Sequence, residues 1–554
     1  MNLDEARKVL TQENMLRESL GNGKKSWTVL IDTWRTDADD GARYSALAPV
    51  EYREKALAGI DWDLSIGHGA PGFRRRKSSV EYLRNCSEDI EPIVVCQEFY
   101  NIVPNSRLIS QELVLLMDLW QDPDSGNYYE IKDDGSKEES IRFSKQRVEI
   151  RTPLLRRYQA ARQLDLLLFT TSTVSIITDE PLSSFSDLEI PEFVDNDHHS
   201  VLSRTIGEPL CLGRKEIVSS LDVKTILPPP PREKCGVWPW NENDSEEWGE
   251  FIIGEDGDGG PVRHTCEPSK LAERGGNPGA PSCYTPVFFR PDVLKQYYDD
   301  TDLYTVTSGH LTCGRKWGVD IHTDETDRVM VYLGDIGRRI PRTHHAHWRS
   351  YNIPPTRKMS MAAARRDFFN IPTETENPEH QFKNAYEDLQ TAWHAAWGWS
   401  LHRPLEGGDV GIIKRLRIPV DDTPAEFEAQ ILNLTRLLID SLNEKEMDHQ
   451  LTRVKGEPGI AKLKRFLEKT GYVHVERDIS FLKGLQKLRS KTAAHVSGVS
   501  GKKYLEKELA GQGRRDYAIS LFEQAVVMLK DLASFATEDP RSDDGDSTRE
   551  GEAI

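Results

Sequence analysis

The hydrophobic period changes along this chain, and that change restricts its fold more than any other feature. In AEFEAQILNLTRLLIDSLNEKEM, residues Phe427, Ile431, Leu434, Leu438 and Leu442 recur at three- and four-residue spacing. That spacing predicts a helix with one apolar face. IAKLKRFLEKTG follows Pro458 and ends on a glycine, a start and stop for a second helix. ISFLKGLQKLRSKTAAH and YAISLFEQAVVMLKDLASFA continue the pattern. Four such segments predict a helical bundle of about 150 residues.

The first part of the chain reads differently. From Ser26 to about Val223, short alternating runs such as SWTVLIDTW, IEPIVVCQEFY and VSIITDE predict strands. ISQELVLLMDLW and TPLLRRYQAARQLDLLLF interrupt them as helices. Leu3, Ala6, Val9, Leu10 and Leu16 predict an amphipathic helix over residues 1–20. The expected fold class is α+β: a mixed N-terminal and middle region followed by an all-helical bundle.

A chain of 554 residues is too long for one core, and about two to four domains are expected. The predicted organisation is an N-terminal helix (1–25), an α+β domain (26–226), a linker or surface excursion (227–282), a β-rich region (283–385), a helical domain (386–536) and a disordered acidic tail (537–554). The linker is predicted from Pro228–Pro231 and from the acid- and glycine-rich WPWNENDSEEWGEFIIGEDGDGG. The tail, EDPRSDDGDSTREGEAI, lacks apolar anchors.

The N-terminus lacks the basic start and apolar centre of a signal peptide. No run of about 18 apolar residues predicts a membrane span. Seven scattered cysteines do not form a disulfide framework, so a cytoplasmic protein is expected. The net charge of -18 argues against a chain coated in nucleic acid. Between Leu451 and Ser520, however, 16 Lys and Arg face 7 Asp and Glu, a local +9 on an acidic body. Phosphate attraction is a local property, so this module is the candidate RNA or DNA contact.

Several motifs carry candidate chemistry. SGVSGKKY and EDGDGG lack the spacing or flanking elements of a phosphate loop, and turn chemistry accounts for them. His264, Cys266, Cys283, His310 and Cys313 lack the paired knuckles of structural zinc. His344, His345 and His347 of THHAHW read as a solvent-exposed patch in a strand or turn. Asp124, Glu130 and Lys132 superficially match a magnesium-nuclease set, but DSGNYYEIKDDG also reads as a strand between two turns. No cofactor or metal is expected.

Arg489-Ser-Lys-Thr-Ala-Ala-His495 resembles the signature of HEPN-domain ribonucleases, an arginine and a histidine separated by four to six residues in an all-helical bundle. The resemblance implies metal-independent RNA cleavage across a homodimer. It implies that His495 moves a proton at the 2′-hydroxyl and that Arg489 steadies the phosphate. Lys487, Lys491, Lys502 and Lys503 are the expected nucleic-acid contacts. In a continuous helix six residues separate Arg489 and His495 by about 120°, so they converge only at a helix end or across a dimer groove. The same residues also suit a helix C-terminus whose cations complement the dipole.

TPVFFRPDVLKQYYDD, CGRKWGVDIHTDETDRVMVYLGDIGR, HWRSYNIPP, LTRLLIDSLNEKE and LRSKTAAH resemble an uncharacterised bacterial protein family over about residues 95–535. By fold-level analogy it implies a role in anti-phage or stress defence, with a phage or host protein as trigger. The alternative expectation is a non-enzymatic nucleic-acid-binding or interaction component of a defence complex.

Overall fold

The computed structural model describes residues 2–58, 72–83, 90–97, 99–100, 102–195, 197, 199–209, 215–237, 248–273, 276–355, 359–369, 375–406, 411–493 and 499–538. Two compact units divide the chain, Met1–Lys132 with Ser136–Ser245, and Asp133–Gly135 with Glu246–Ile554. The fold class is α+β. No helix among the described residues is long and apolar enough to cross a membrane.

In the first unit, strands β1 (Trp27–Arg35), β2 (Asp39–Pro49), β3 (Gly72–Arg76) and β4 (Ser79–Leu83) precede β5 (Leu119–Gln121), β6 (Tyr128–Ile131), β7 (Lys137–Phe143) and β8 (Arg147–Arg151). Then come β9 (Leu164–Ile177), β10 (Ile190–Asp195), β11 (Ser200–Gly207) and β12 (Glu216–Leu227). Ten of these strands run in the order β10-β11-β12-β9-β2-β1-β8-β7-β6-β5, with Glu91–Pro92 pairing on β2 as an eleventh member. Every pairing in this sheet is antiparallel. The most apolar stretch of the sequence, LDLLLFTTSTVSII, is the central strand β9. Leu166 and Leu167 are fully buried, and Thr170 and Ser172 are buried as well.

The N-terminal helix is two helices, α1 (Leu3–Thr11) and α2 (Glu13–Gly21). Gln12 adopts the left-handed conformation between them and buries its amide, which donates to the carbonyl oxygens of Ser172 and Ser219. Those hydrogen bonds satisfy sheet acceptors and stabilise a break that helical spacing alone does not reveal. TPLLRRYQAARQLDLLLF likewise splits. Helix α3 (Thr152–Arg162) stops at left-handed Gln163, and β9 begins one residue later.

The second unit holds two large cores and a small cluster of Phe288, Met330, Tyr332 and Ala363. One gathers around the fully buried Trp348 and includes Phe289, Tyr297, Val331 and Ile336. It also takes in Phe251, Cys266 and Leu271, so the stretch predicted as a linker over 227–282 is in part core. Strands β13 (Glu250–Glu255) and β14 (Pro261–Thr265) pair as a hairpin there, and Asp256 closes its EDGDGG turn by accepting from the amides of Asp258 and Gly260. The acidic and glycine composition belongs to that turn, while the apolar side chains flanking it are buried. Helices α4 (Leu333–Arg339) and α5 (Arg342–Ser350) close this core.

The second core is the predicted bundle. Its helices are α6 (Pro378–Trp397), α7 (Pro424–Thr435), α8 (Glu444–Gln450), α9 (Gly459–Lys469), α10 (Val475–Ala493), α11 (Val499–Leu509) and α12 (Arg514–Thr537). Helix α6 begins eight residues before the predicted boundary. Asn377 caps it by accepting from the Glu379 amide, Pro378 fits its first turn, and left-handed Gly398 ends it. Thr423 caps α7 in the same way. The stripe Phe427, Ile431, Leu434, Leu438 and Leu442 is at most 2% exposed, each side chain contributing about 1.5–3 kcal/mol of burial.

Candidate nuclease site in the C-terminal bundle

Helix α10 turns Ile479, Leu482, Leu485 and Leu488 inward, all nearly inaccessible. Arg489 follows Leu488 in the last turns of the helix, and its side chain is 31% exposed. Its Nη1 donates to Asp440 Oδ2 at 2.5 Å. Asp440 ends a five-residue π-helical turn, Arg436–Asp440, in which Leu437, Leu438 and Ile439 are all buried. Three consecutive buried residues do not fit one face of an α-helix. The widened turn accommodates them, and Ser441 N donates to Arg436 O at 3.0 Å across it. Such turns occur disproportionately at functional sites.

A second guanidinium reaches the same residue. Arg403 Nη2 donates to the Asp440 carbonyl oxygen at 3.1 Å. Its position is fixed because the backbone of Leu401–Arg403 pairs with that of Ser441–Asn443. Behind this pairing, buried His402 accepts from Gln390 Nε2 on Nδ1 at 2.7 Å. Burial lowers the pKa of His402 to about 4, so the ring is neutral at ordinary pH.

The predicted lysines are elsewhere, Lys487 and Lys491 on α10 and Lys502 and Lys503 on α11. At 100° per residue, Lys487 and Lys491 share one side of α10 and Arg489 lies on the opposite one. Lys487 sits 4.8 Å over the ring of Tyr504 on α11. Lys491 is half-buried and Lys503 is exposed. The side chain of Lys502, and His495 as a whole, lie outside the described residues. The structure therefore brings Arg489 together with Asp440 and Arg403, and not with Lys487 or Lys491.

The basic module is also less positive than its sequence count. Lys462, Lys464, Arg465, Arg477 and Arg489 are ion-paired, and Asp440, Glu444, Asp448 and Asp531 enter these pairs from outside residues 451–520. Beside α10 a groove of about 650 Å³ runs between it and α12, lined by Arg477, Phe481, Gly484, Leu488, Tyr517 and Val527. Nothing lies within 4 Å of where a Cβ on Gly484 would stand, so this glycine deepens the groove.

The competing sites fare differently. Glu130 on β6 accepts from Arg157 at 2.8 Å and from Lys132 at 2.9 Å. Burial pushes its carboxyl up, but the two cations hold it below the usual range. Asp124 sits in the preceding turn, its amide directed at Asp122. Among the described residues no group of three or more His, Cys, Asp or Glu is placed to hold a metal ion. The expected histidine patch is not on the surface. His344 and His345 are buried on α5, where His344 Nδ1 meets the Tyr297 hydroxyl at 2.9 Å and His345 Nε2 donates to the Ile340 carbonyl at 3.1 Å. Helical spacing carries Trp348 and these two rings to one inward face, which a strand reading of THHAHW misses. Cys266 lies 3.7 Å from His345 Nδ1, with its thiol pushed up to about 12 by burial.

Asp440 and Arg403 are the site residues that motif spacing missed. The signal for Asp440 was the run LLID, whose three adjacent apolar residues break the helical period. Comparisons with known protein families, with curated proteins and with solved structures returned no match to this chain.

Proposed function

We propose that the chain is a metal-independent endoribonuclease of the HEPN-like kind, acting in bacterial cytoplasmic defence against phage or stress. In this reading Arg489 holds the scissile phosphate, His495 transfers the proton at the 2′-hydroxyl, and the first unit senses or restrains. The active assembly is a homodimer or part of a defence complex. The observation that supports it is the fixed guanidinium of Arg489, presented near a helix end and held by a carboxylate on a π-helical turn. A tethered guanidinium meets a phosphate without first losing rotamer freedom, which lowers the cost of binding the transition state. The test compares RNA cleavage by the unmodified chain and by His495→Ala, with a folding control. Unchanged cleavage by His495→Ala rejects the reading.

One observation favours a second reading, a non-enzymatic nucleic-acid-binding or interaction component. Asp440 neutralises Arg489, Lys487 and Lys491 occupy the opposite side of α10, and Lys503 lies on α11. Under that reading charge reversal at Lys487, Lys491 and Lys503 abolishes binding, while Arg489→Ala leaves it intact.

A further inference from the structure

Strands β3 and β4 form a two-stranded sheet of their own, separate from the eleven-stranded sheet. Their register pairs Phe73 with Tyr82, Arg75 with Val80, and Arg76 with Ser79, leaving a two-residue turn, Lys77-Ser78, with Lys77 in the left-handed region at φ 46°. An isolated ribbon of this length is marginal in water. Its composition is also unlike the rest of this acidic chain. Arg74, Arg75, Arg76 and Lys77 are four consecutive cations at the tip.

Alternation along paired strands places Phe73, Arg75, Val80 and Tyr82 on one face. Phe73 is 76% exposed, Val80 64% and Tyr82 63%. The rings of Phe73 and Tyr82 meet edge to face at 5.3 Å, which leaves most of both ring surfaces open to water. Arg75 and Lys77 are exposed as well. Exposed rings followed by a run of cations suit a strand whose bases stack while its phosphates are neutralised. An acidic protein partner would answer the cations but would gain little from two open aromatic faces. A duplex would hide its base faces from them.

We propose that the ribbon Gly72–Leu83 is a binding arm for single-stranded nucleic acid, with Phe73 and Tyr82 as base-stacking platforms and Arg75 and Lys77 as phosphate contacts. This is a second site, on the other unit from Arg489, and it does not depend on cleavage.

The test uses the full chain and fluorescence anisotropy with labelled single-stranded DNA, single-stranded RNA and duplex DNA across a salt series. Single-stranded DNA lacks the 2′-hydroxyl that cleavage requires, so binding is read without turnover, and the ribbon variants separate the arm from the C-terminal module. Replacing Phe73 and Tyr82 by alanine is expected to weaken single-strand binding by roughly five- to a hundredfold per ring, leaving the salt slope and duplex binding unchanged. Reversing Arg75 and Lys77 to glutamate is expected to flatten the log–log salt slope by up to about 1.4, at roughly 0.7 per phosphate contact. Unchanged circular dichroism in both variants excludes a folding defect, because the ribbon pairs with no strand of the large sheet. The proposal is overturned if the unmodified chain does not bind single strands at low salt, or if either variant binds them as the unmodified chain does. Equal binding of polyglutamate and single-stranded DNA also overturns it, in favour of an acidic protein partner. His495→Ala is silent in this DNA assay, so the arm and the ribonuclease reading fail independently.

Discussion

Acidification from pH 7.5 to 5 is expected to destabilise the bundle by several kcal/mol through two buried histidines. His402 is 5% exposed and His380 is 4% exposed, and burial lowers each to about 4 from an ordinary 6.5. Around His402, Nδ1 accepts from Gln390 and the ring lies 5.2 Å from Tyr386. A proton on Nδ1 would set two donors against each other. Around His380 lie Thr323 Oγ1, at 3.2 Å from Nε2, and the charges of Glu379, Lys383 and Asp324. Because the folded values lie below the unfolded one, the unfolded chain takes up protons first as the pH falls through 6.5. The stabilisation is complete above 6.5, declines between 6.5 and 4, and is gone below 4. At pH 5 the loss is about 2 kcal/mol for each ring, about 4 kcal/mol together, against a typical total of about 5–15 kcal/mol. Burial raises the Glu379 carboxyl, but Lys383, His380 and Tyr298 hold it below its usual value, so it adds to the loss only at lower pH. Hydrogen exchange of the bundle helices in a urea series at each pH measures the effect. His402→Asn retains an acceptor for Gln390 and removes the titration, so it is expected to lose about half of the pH dependence. A flat response in the unmodified chain, or an undiminished slope in His402→Asn, refutes the argument.

Asp440→Asn is expected to release Arg489 and lower RNA turnover by roughly two- to tenfold, the cost of immobilising one long side chain, with little change in melting temperature because the pair is part-exposed. Phe427→Ala is expected to cost about 3–5 kcal/mol in bundle stability by urea titration, because the side chain is fully buried. Gly337→Ala would place a Cβ 1.9 Å from the Cys266 carbonyl oxygen. Calorimetry is expected to show a loss of at least about 1–3 kcal/mol as α4 is forced off that backbone.

The bundle was legible because its helices bury one face each and carry ordinary caps. Phe427, Ile431 and Leu434 follow the helical period up to the π-helical turn at Arg436–Asp440, where the single expected helix is interrupted, while the start of α6 at Pro378 lay eight residues before the expected boundary. The features that were not legible depend on partners distant in sequence. Gln12 breaks the N-terminal helix because acceptors on Ser172 and Ser219 await its amide. Phe251 and Cys266 looked like parts of a linker because their acidic and glycine neighbours form a surface turn. Arg489 was found by its spacing to His495, but Asp440 lies 49 positions away. The local count of +9 omits the carboxylates of Asp440, Glu444, Asp448 and Asp531, which reach in from both sides.

The central claim is that Arg489 and His495 cleave RNA without a metal. Its most direct measurement is cleavage of a labelled single-stranded RNA by the full chain in EDTA, with the product ends identified by mass spectrometry. The account predicts a cyclic or 3′-phosphate end, abolished by His495→Ala and by Arg489→Lys, which keeps the charge but loses the planar fork. Loss of a positioned acid–base group alone lowers the rate by about 100- to 10,000-fold. Glu130→Ala is predicted to cleave normally. Cleavage that stops in EDTA, or with Glu130→Ala, and survives His495→Ala contradicts the account.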